Sequence, residues 1–284
     1  MASAHPQVRL PDFVIVGAMK SATTSLFAWL GTVDGVFVPV MKEPHFFSRD
    51  DRWDHGLRWY EELFSDAPRG MLVGEASASY TDPRLADTVA ERMFDVIPRA
   101  RLIYVMRHPL ERLRSHYRHE VQRSREHARM EEAVSVPGNP YVRYSLYSRA
   151  LGPFLERFPR EQVLAIRMED LVGRPSPGWD LVLAHLNLPS TQRPDQALNV
   201  TEGKEKFTRP LLWLWERGLD RPLRRFPSPL RKWGRRMLLR ADEGYRELLA
   251  SSEEMVPEPV GITLREDVAK LEELLGVSAL WEWS

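Results

Sequence analysis

This chain of 284 residues lacks several features that would place it in common protein classes. It has no cysteine, which excludes disulfides, thiolate metal sites and cysteine nucleophiles. Its 40 basic and 40 acidic residues give a formal net charge of zero, so no global field favours nucleic acid or an anionic membrane. Apolar runs of about 18 residues, which a membrane span requires, are missing, and residues 1–10 lack a secretory leader pattern. We therefore expect a cytoplasmic protein without an integral membrane span, and any affinity for anions must come from a local site.

The composition also limits the number of folded units. An apolar fraction of 43% over this length is enough for one large α/β domain, so we predict a single domain over residues 1–284. Residues 209–240 differ from the rest because tryptophan and arginine alternate there. Such a pattern suits rings that stack on bases or sugars, or amphipathic helices with buried tryptophans. We favour the second interpretation and predict a helical insertion at about 209–250.

An apolar run near the start of the chain breaks at a turn of small residues and continues as a helical pattern. Residues 13–16 are β-branched or aromatic, as a strand buried on both faces requires. Residues 24–30 place their large apolar side chains on one side of a helix. Small residues in the turn let backbone N–H groups approach a ligand, the helix N-terminus favours negative charge, and Lys20 adds a cation. The stretch therefore predicts a strand, a loop that binds phosphate or sulfate, and a helix.

Strands and helices alternate along the rest of the chain. Strands are predicted at residues 35–39, 71–74, 101–106 and 163–166. Helices are predicted at residues 52–64, 83–94, 110–129, 144–158 and 180–188, and from Thr263 onward, with Asp82 as the N-cap of the second. Short joints between alternating elements are typical of an α/β fold, with a mostly parallel central sheet flanked by helices.

Charged residues follow three of these strands. Lys20, Glu75 and Arg107 each come just after a predicted strand end. Ligands of such sheets bind at the carboxyl ends of the strands. We therefore expect these three residues around one crevice, with a salt bridge between Arg107 and Glu75 as the structural alternative.

The rhythm of residues 17–24 also suggests a P-loop nucleotide kinase. A Walker loop needs glycine and lysine directly before its Ser or Thr, but those places hold Ala22 and Thr23. The strand that ends at Met106 is followed by Arg107, where an acidic residue would be expected to help hold magnesium. These residues favour an anion bound without metal. The expected ligand is a nucleotide whose phosphate is held by side chains.

With these residues the chain resembles the sulfotransferases that use 3′-phosphoadenosine 5′-phosphosulfate (PAPS), in particular the heparan-type and related bacterial enzymes. The resemblance covers most of the chain, including a closing helix and tryptophan within residues 271–283. It implies a P-loop-like sulfotransferase fold, with PAPS as co-substrate and no metal. It also implies a cradle for the 5′-phosphosulfate, formed by Lys20, Ser21, Ala22, Thr23, Thr24 and Ser25, although Ser21 and Ala22 replace the usual glycines.

The resemblance also implies contacts with the rest of the nucleotide. In the family, a strand that ends in arginine, with a serine eight positions later, binds the 3′-phosphate, and Arg107 and Ser115 have this spacing. A loop that closes over the nucleotide corresponds to residues 199–209, where the candidate phosphate contacts are Gly203, Lys204 and Lys206. The residues alone are also compatible with a helix-surface serine and a solvated loop.

The segment Glu43-Pro44-His45-Phe46-Phe47 matches the family's glutamate, histidine and aromatic pair. The resemblance implies that Glu43 is the general base and that His45 orients Glu43 or the acceptor, while Lys20 stabilises the bridging oxygen of the leaving phosphate. Without the resemblance, the residues favour a catalytic base and a loop carboxylate equally for Glu43. For His45 they favour a packed histidine. Ala76 stands where related enzymes often carry a lysine, so a second catalytic cation would have to come from Lys42 or a later loop.

The function predicted in this way is transfer of the sulfuryl group from PAPS to a hydroxyl, and secondarily an amine, of a sugar, a glycosylated natural product or another small acceptor. The expected partners are a small-molecule or glycan acceptor and no nucleic acid, with homo-oligomerisation left open. Residues 209–240 would add a wall for the acceptor or a surface near a membrane. The alternative is a non-enzymatic nucleotide- or RNA-binding protein that uses residues 209–240 as its main surface.

Overall fold

The computed structural model describes residues 9–195 and 243–283. In these ranges five strands form one sheet: β1 (Phe13–Gly17), β2 (Val36–Phe37), β3 (Leu72–Ala76), β4 (Arg101–Met106) and β5 (Val163–Arg167). Their order across the sheet is β2-β3-β1-β4-β5, and each neighbouring pair is parallel. The predicted α/β fold with a mostly parallel central sheet is confirmed.

Helices connect these strands. They are α1 (Thr23–Leu30), α2 (Asp50–Trp53), α3 (Gly56–Glu62), α4 (Ala86–Val96), α5 (Pro109–Gln122), α6 (Met130–Ser135), α7 (Pro140–Arg143), α8 (Tyr147–Arg157), α9 (Met168–Val172), α10 (Pro177–His185), α11 (Glu243–Ser251) and α12 (Glu258–Leu275). Short 3-10 turns cover Ala78–Thr81 after β3 and Arg160–Gln162 before β5. None of the helices in the described ranges is both long and apolar enough to cross a membrane.

The chain divides into two compact units. The described part of the larger unit comprises residues 9–112, 143–195 and 263–283, and it contains the whole sheet. The described part of the smaller unit comprises residues 113–142 and 243–262. The predicted insertion at 209–250 lies mostly outside the described residues, so the single-domain organisation stays a prediction.

The core of the larger unit follows from the period of two along its strands. Phe13 and Ile15 of β1 pack on one face of the sheet, with side chains from α1, α9 and α10. Val14 and Val16 pack on the other face, with side chains from α3, α4, α8 and α12. All four residues are fully buried, because β1 lies at the centre of the sheet and helices cover both faces.

In the smaller unit, hydroxyl groups and ion pairs join α11 to the segment around α6. The Ser251 hydroxyl accepts a hydrogen bond from the Met130 N–H at 3.1 Å. Arg129 pairs with Glu247 at 2.6 Å. The rings of Tyr117 and Tyr141 meet edge to face with their centroids 5.8 Å apart.

Predicted helices differ from the structure mainly at their ends: the helix expected at 110–129 ends at Gln122, and the helix expected at 144–158 begins only at Tyr147. The helix expected at 52–64 is interrupted between α2 and α3, because Gly56 at the start of α3 adopts a φ of 78°, which the interior of a continuous α-helix does not allow. The helix expected at 83–94 begins only at Ala86, and Asp82 does not cap it. The carboxylate of Asp82 is buried and instead accepts hydrogen bonds from Arg84 at 2.7 Å and Tyr144 at 2.9 Å.

Candidate active site

Three neighbouring strands end at the same edge of the sheet. Because β1 lies between β3 and β4, the loops that follow these strands are side by side. Three hydrogen bonds join them: Ala18 N–H to Val105 O at 2.8 Å, Ser77 N–H to Ile15 O at 3.1 Å, and Thr81 Oγ1 to Val16 O at 2.9 Å. The sheet thus brings together the segments that carry Lys20, Glu75 and Arg107.

The loop from Gly17 to Ala22 has the backbone of an anion cradle. Lys20 and Ala22 adopt φ values of 71° and 60°, a region that residues with a Cβ occupy at a cost of about 1 to 3 kcal/mol and that is concentrated at functional sites. Helix α1 begins at Thr23 with no side-chain cap and no acidic residue in its first turn. The first N–H groups of a helix have no acceptor within the helix, and its N-terminus favours negative charge. The loop is therefore suited to bind phosphate or sulfate.

Gly17 permits this loop to pass close to its neighbours. A Cβ at this position would lie 2.0 Å from Thr81 Oγ1 and 2.8 Å from Tyr104 Cε2. We expect Gly17→Ala to lower the free energy of unfolding by about 1 to 3 kcal/mol, as overpacking does, in a chemical denaturation measurement. Gly152→Ala is the matched control, because a Cβ at this helical position meets nothing within 4 Å. Equal stabilities of the Gly17 variant and the wild type would contradict this account of the turn.

Arg107 follows β4, and Tyr147 fixes its backbone. The Tyr147 hydroxyl donates to Arg107 O at 2.7 Å and accepts from Arg107 N–H at 3.3 Å. The Arg107 side chain is 22% exposed, and its guanidinium donates to Glu111 at 3.3 Å, so its ion pair is with Glu111 and not with Glu75. Burial raises the pKa of Tyr147 to about 12, while the positive charge of Arg112 and the Arg107 backbone act in the opposite direction. Tyr147 therefore holds the backbone of Arg107 at the end of β4.

Arg112 is a second cation beside Arg107 that the sequence analysis did not select. Its side chain is fully buried, and its Nε donates to Ser145 Oγ at 2.7 Å. Burial lowers its pKa to about 10, and the positive charge of Arg107 contributes to this decrease. The sequence feature that could have indicated Arg112 is its position next to Leu113, an apolar residue of the predicted amphipathic helix. Leu113 is buried in the structure. Two cations thus concentrate positive charge at the end of β4.

Glu43 lies in the loop that crosses the end of β3. Its backbone has a φ of 61°, and its N–H donates to Ala76 O at 3.0 Å. One carboxylate oxygen, Oε2, accepts from Ala78 N–H at 2.9 Å, and the other pairs with Lys42. The side chain is 29% exposed, so a substrate can reach it. A partly exposed carboxylate held at both backbone and side chain is suited to accept a proton.

His45 lies next to Glu43 and is held by the same segment. Its φ is 56°, and its N–H donates to Ser77 Oγ at 3.2 Å. Its Nδ1 lies 2.7 Å from Ser79 Oγ and 3.8 Å from Glu43 Oε2. Burial lowers the pKa of His45, with the charge of Glu43 acting in the opposite direction. The ring is therefore neutral near pH 7 and can orient a neighbour by hydrogen bonding.

Glu75 differs from the sequence expectation. It belongs to β3 and is fully buried, not exposed in a crevice. Its carboxylate accepts three hydroxyl hydrogen bonds: from Tyr60 at 3.0 Å, Tyr80 at 2.7 Å and Ser77 at 3.0 Å. No basic side chain of the described residues pairs with it, so the interpretation as a partner of Arg107 or Lys20 is wrong. Burial raises its pKa to about 7, although the three hydroxyl groups act in the opposite direction.

The remaining predicted residues have different outcomes. Ser21, Thr23 and Ser25 are buried in the cradle and the start of α1, and Ser115 is buried within α5. Their contacts with a nucleotide stay predictions. Gly203, Lys204 and Lys206 lie outside the described residues, as does the tryptophan- and arginine-rich stretch at 209–240. The described ranges contain no group of three or more His, Asp or Glu side chains placed to hold a metal ion.

A family comparison accounts for this combination of a cradle, a strand-end arginine and a loop glutamate. The family described as "Sulfotransferase domain" matches residues 10–203. The chain belongs to this family. The matched range includes Lys20, Glu43 and Arg107, so the family predicted from the sequence is confirmed.

Individual relatives of this sulfotransferase domain are more distant. Human heparan sulfate glucosamine 3-O-sulfotransferase 5 is 27% identical over 192 residues, which cover 64% of this chain and 54% of that protein. A membrane-associated sulfotransferase of Dictyostelium discoideum is 32% identical over 111 residues, covering 38% of this chain and 22% of that protein. The chain thus spans about half the length, or less, of the curated relatives it matches.

A solved structure matches nearly the whole sulfotransferase domain. The crystal structure of a sulfotransferase from Alicyclobacillus acidocaldarius superposes with a TM-score of 0.66 and 26% sequence identity. The alignment covers 95% of this chain and 98% of that one. The two proteins therefore have the same fold.

Proposed function

We propose that this protein transfers the sulfuryl group of PAPS to a hydroxyl group, and secondarily to an amine, of a sugar, a glycosylated natural product or another small acceptor. Membership of the sulfotransferase family supports the reaction type. A human relative is described as a glucosamine 3-O-sulfotransferase, which supports a sugar hydroxyl as the acceptor group.

One observation carries the proposal: the loop with Glu43 and His45 is fixed on the segment after β3, which neighbours the anion cradle after β1. Four hydrogen bonds connect this loop to four consecutive residues: Glu43 N–H to Ala76 O, His45 N–H to Ser77 Oγ, Ala78 N–H to Glu43 Oε2, and the His45 ring with Ser79 Oγ. An anion site and a held base beside one another suit a transfer in which an anionic group moves to a hydroxyl.

The steps assigned to the side chains follow from their chemistry. Sulfuryl transfer resembles phosphoryl transfer, in which positioning and charge stabilisation supply most of the catalysis. Glu43 accepts the hydroxyl proton as the acceptor oxygen forms its bond to sulfur. Lys20 stabilises the bridging oxygen on which negative charge develops as the bond from sulfur to the leaving phosphate breaks. His45, held through Nδ1 by Ser79, orients Glu43 or the acceptor.

The donor PAPS supplies an activated sulfuryl group and carries a 3′-phosphate that needs its own cations. Arg107, with Arg112 behind it, concentrates positive charge at the end of β4 and is the proposed ligand of this phosphate. Ser115 is proposed as its partner from the sequence spacing. Lys42, which pairs with Glu43, is the described residue that could replace the lysine missing at Ala76.

The cellular location and the rival function both depend on the sequence alone. A cytoplasmic location stays a prediction, and a relative from Dictyostelium discoideum is described as membrane-associated. The rival function, a non-enzymatic nucleotide- or RNA-binding protein, relies on residues 209–240, which lie outside the described residues.

A transfer assay with sulfur-labelled PAPS tests the proposal. The purified chain is incubated with the labelled donor and a panel of sugars, glycosides, phenols and amines, in buffer that contains a chelator. We expect label to appear on at least one hydroxyl-bearing acceptor, in proportion to enzyme and without added metal. Binding of the nucleotide with no transfer to any member of a broad panel would instead favour the non-enzymatic function.

A further inference from the structure

We propose that Glu75 is a positioning residue, whose buried carboxylate fixes Glu43 and His45 in the geometry needed for proton transfer. The proposal rests on the function proposed above, since it concerns the same reaction. Glu75 is fully buried, so the proposal assigns it no contact with the acceptor or the nucleotide. It acts through Ser77, Tyr60 and Tyr80, the three residues that donate to it.

The first connection from Glu75 passes through Ser77. The Ser77 hydroxyl donates to Glu75 Oε2 at 3.0 Å and accepts from His45 N–H at 3.2 Å. A hydroxyl has one hydrogen, so the carboxylate that takes this hydrogen leaves the oxygen lone pairs facing His45. Glu75 thereby sets the direction of the hydrogen bond that holds the backbone of His45.

The second connection passes through aromatic rings. Tyr60 and Tyr80 both donate to Glu75 Oε1, and their rings pack on the aromatic pair that follows His45. Tyr60 stacks on Phe46 with ring centroids 4.4 Å apart, and Tyr80 meets Phe47 at 5.5 Å. One buried carboxylate therefore supports the loop at the backbone of His45 and at the aromatic pair that follows it.

The loop needs such support because its backbone is unfavourable. Glu43 and His45 adopt φ values of 61° and 56°, in a region that L-residues with a Cβ rarely occupy. Such conformations persist only where the surrounding structure determines them. The contacts through Ser77 and the two tyrosines supply part of that determination.

The charge state of Glu75 gives the proposal a specific signature. The titratable groups that interact with Glu75 are Tyr60, Tyr80 and Glu43, and the charge of Glu43 acts with burial to raise the pKa of Glu75. Burial raises the pKa of Glu75 to about 7, so the carboxylate is ionised above this pH and protonated below it. Glutamine keeps the size of the side chain and one acceptor oxygen but places an NH₂ donor where Oε2 accepts from Ser77.

The test compares Glu75→Gln with wild type across pH, using the most active acceptor of the panel. We expect turnover of the variant to be about tenfold to a hundredfold lower at pH 8.5, since a small misplacement of reacting groups costs up to about a hundredfold. At pH 5.5 wild-type Glu75 is itself protonated, so the ratio should fall to within about threefold. Affinity for 3′-phosphoadenosine 5′-phosphate (PAP) should stay within about threefold of wild type. A ratio that is constant over this pH range, or full turnover at pH 8.5, would overturn the proposal.

Two more variants separate positioning from general stability. Ser77→Ala removes only the bridging hydroxyl, so its turnover should also fall about tenfold. Turnover of the double variant with Glu75→Gln should be no lower than that of the slower single variant.

Asp267→Asn is the matched control: this buried carboxylate accepts from Ser148 N–H at 3.0 Å and from the Ser148 hydroxyl. It should keep turnover within about twofold even if its melting temperature falls. If Glu75→Gln does not fold, Ser77→Ala decides the question alone.

A readout without acceptor distinguishes failure of this proposal from failure of the proposed function. Amide hydrogen exchange at His45 should become at least about tenfold faster in Glu75→Gln and in Ser77→Ala, with exchange in β1 and β4 unchanged. If the wild type transfers no sulfuryl group but exchange at His45 is faster in the two variants, the proposed function is refuted and the role of Glu75 in holding the loop is supported. If the wild type is active but exchange at His45 is the same in the variants as in the wild type, only the role of Glu75 is refuted.

Discussion

Turnover of the Glu43→Gln variant is expected to fall by about 10² to 10⁴ while affinity for PAP stays within about threefold of wild type. A general base contributes about this factor to catalysis. The amide cannot take a proton from the acceptor, yet its oxygen can still accept the hydrogen bond from Ala78 N–H that positions Glu43 at 2.9 Å. The loss therefore belongs to the chemical step, and single-turnover kinetics with saturating PAPS should detect it.

A matched control for this variant is Glu62→Gln, an exposed carboxylate in helix α3 of the same unit. It removes the same charge without touching the loop that carries Glu43, so its turnover should equal that of wild type. Full turnover of Glu43→Gln would mean that another group accepts the proton. A parallel loss of turnover and of nucleotide affinity would mean that Glu43 supports the fold of the site instead.

The Arg107→Ala variant is expected to bind PAP about 10-fold to 150-fold more weakly than wild type. Hydrogen bonds to charged groups contribute about 1.5 to 3 kcal/mol, and each 1.4 kcal/mol is a factor of ten in affinity. The guanidinium is partly exposed, and Tyr147 fixes the backbone that carries it with two hydrogen bonds. Because those bonds involve backbone atoms of Arg107, the variant keeps them. The decrease in affinity therefore measures the contribution of the Arg107 side chain to PAP binding.

Arg101 supplies the control for this measurement. It is the first residue of the same strand β4, whose other end leads into Arg107, and its side chain donates to His185 O. Arg101→Ala removes one positive charge from the strand but not from the edge where the loops meet. Its affinity for PAP should equal that of wild type. Equal weakening by both substitutions would indicate that net charge, and not a phosphate contact, governs binding.

The fold could be predicted from local patterns because the strands are apolar on both faces. All five strands were placed within two residues of their observed bounds, and β4 was matched at both ends. The order of the strands, with β1 between β3 and β4, is not specified by any local pattern, since it depends on contacts between distant elements. Helix ends were less accurate, since a positive φ at Gly56 interrupts one helix and Asp82 contacts Arg143 and Tyr144, which are distant in sequence.

The candidate site was predicted only in part, for a physical reason. Lys20, Glu43 and Arg107 have sequence signals, since each belongs to a recognisable pattern at a loop. The roles of Glu75 and Ser77 depend on hydroxyl groups from Tyr60 and Tyr80 and on the backbone of His45, which are joined only in the folded chain. A buried carboxylate at the end of a strand looks in sequence like a partner for the nearest cation. The burial of Glu75 among neutral hydroxyl groups decides against that pairing.

The most direct test of the central claim is a calorimetric titration of PAP into the wild-type chain with a chelator present. The account predicts one binding site per chain, with a dissociation constant in the micromolar range or tighter, about −8 kcal/mol or more favourable. Adding magnesium should leave this constant unchanged, because we propose that Lys20, Arg107 and the N-terminus of α1 bind the phosphates. No detectable binding, or binding that appears only with magnesium, would contradict the account.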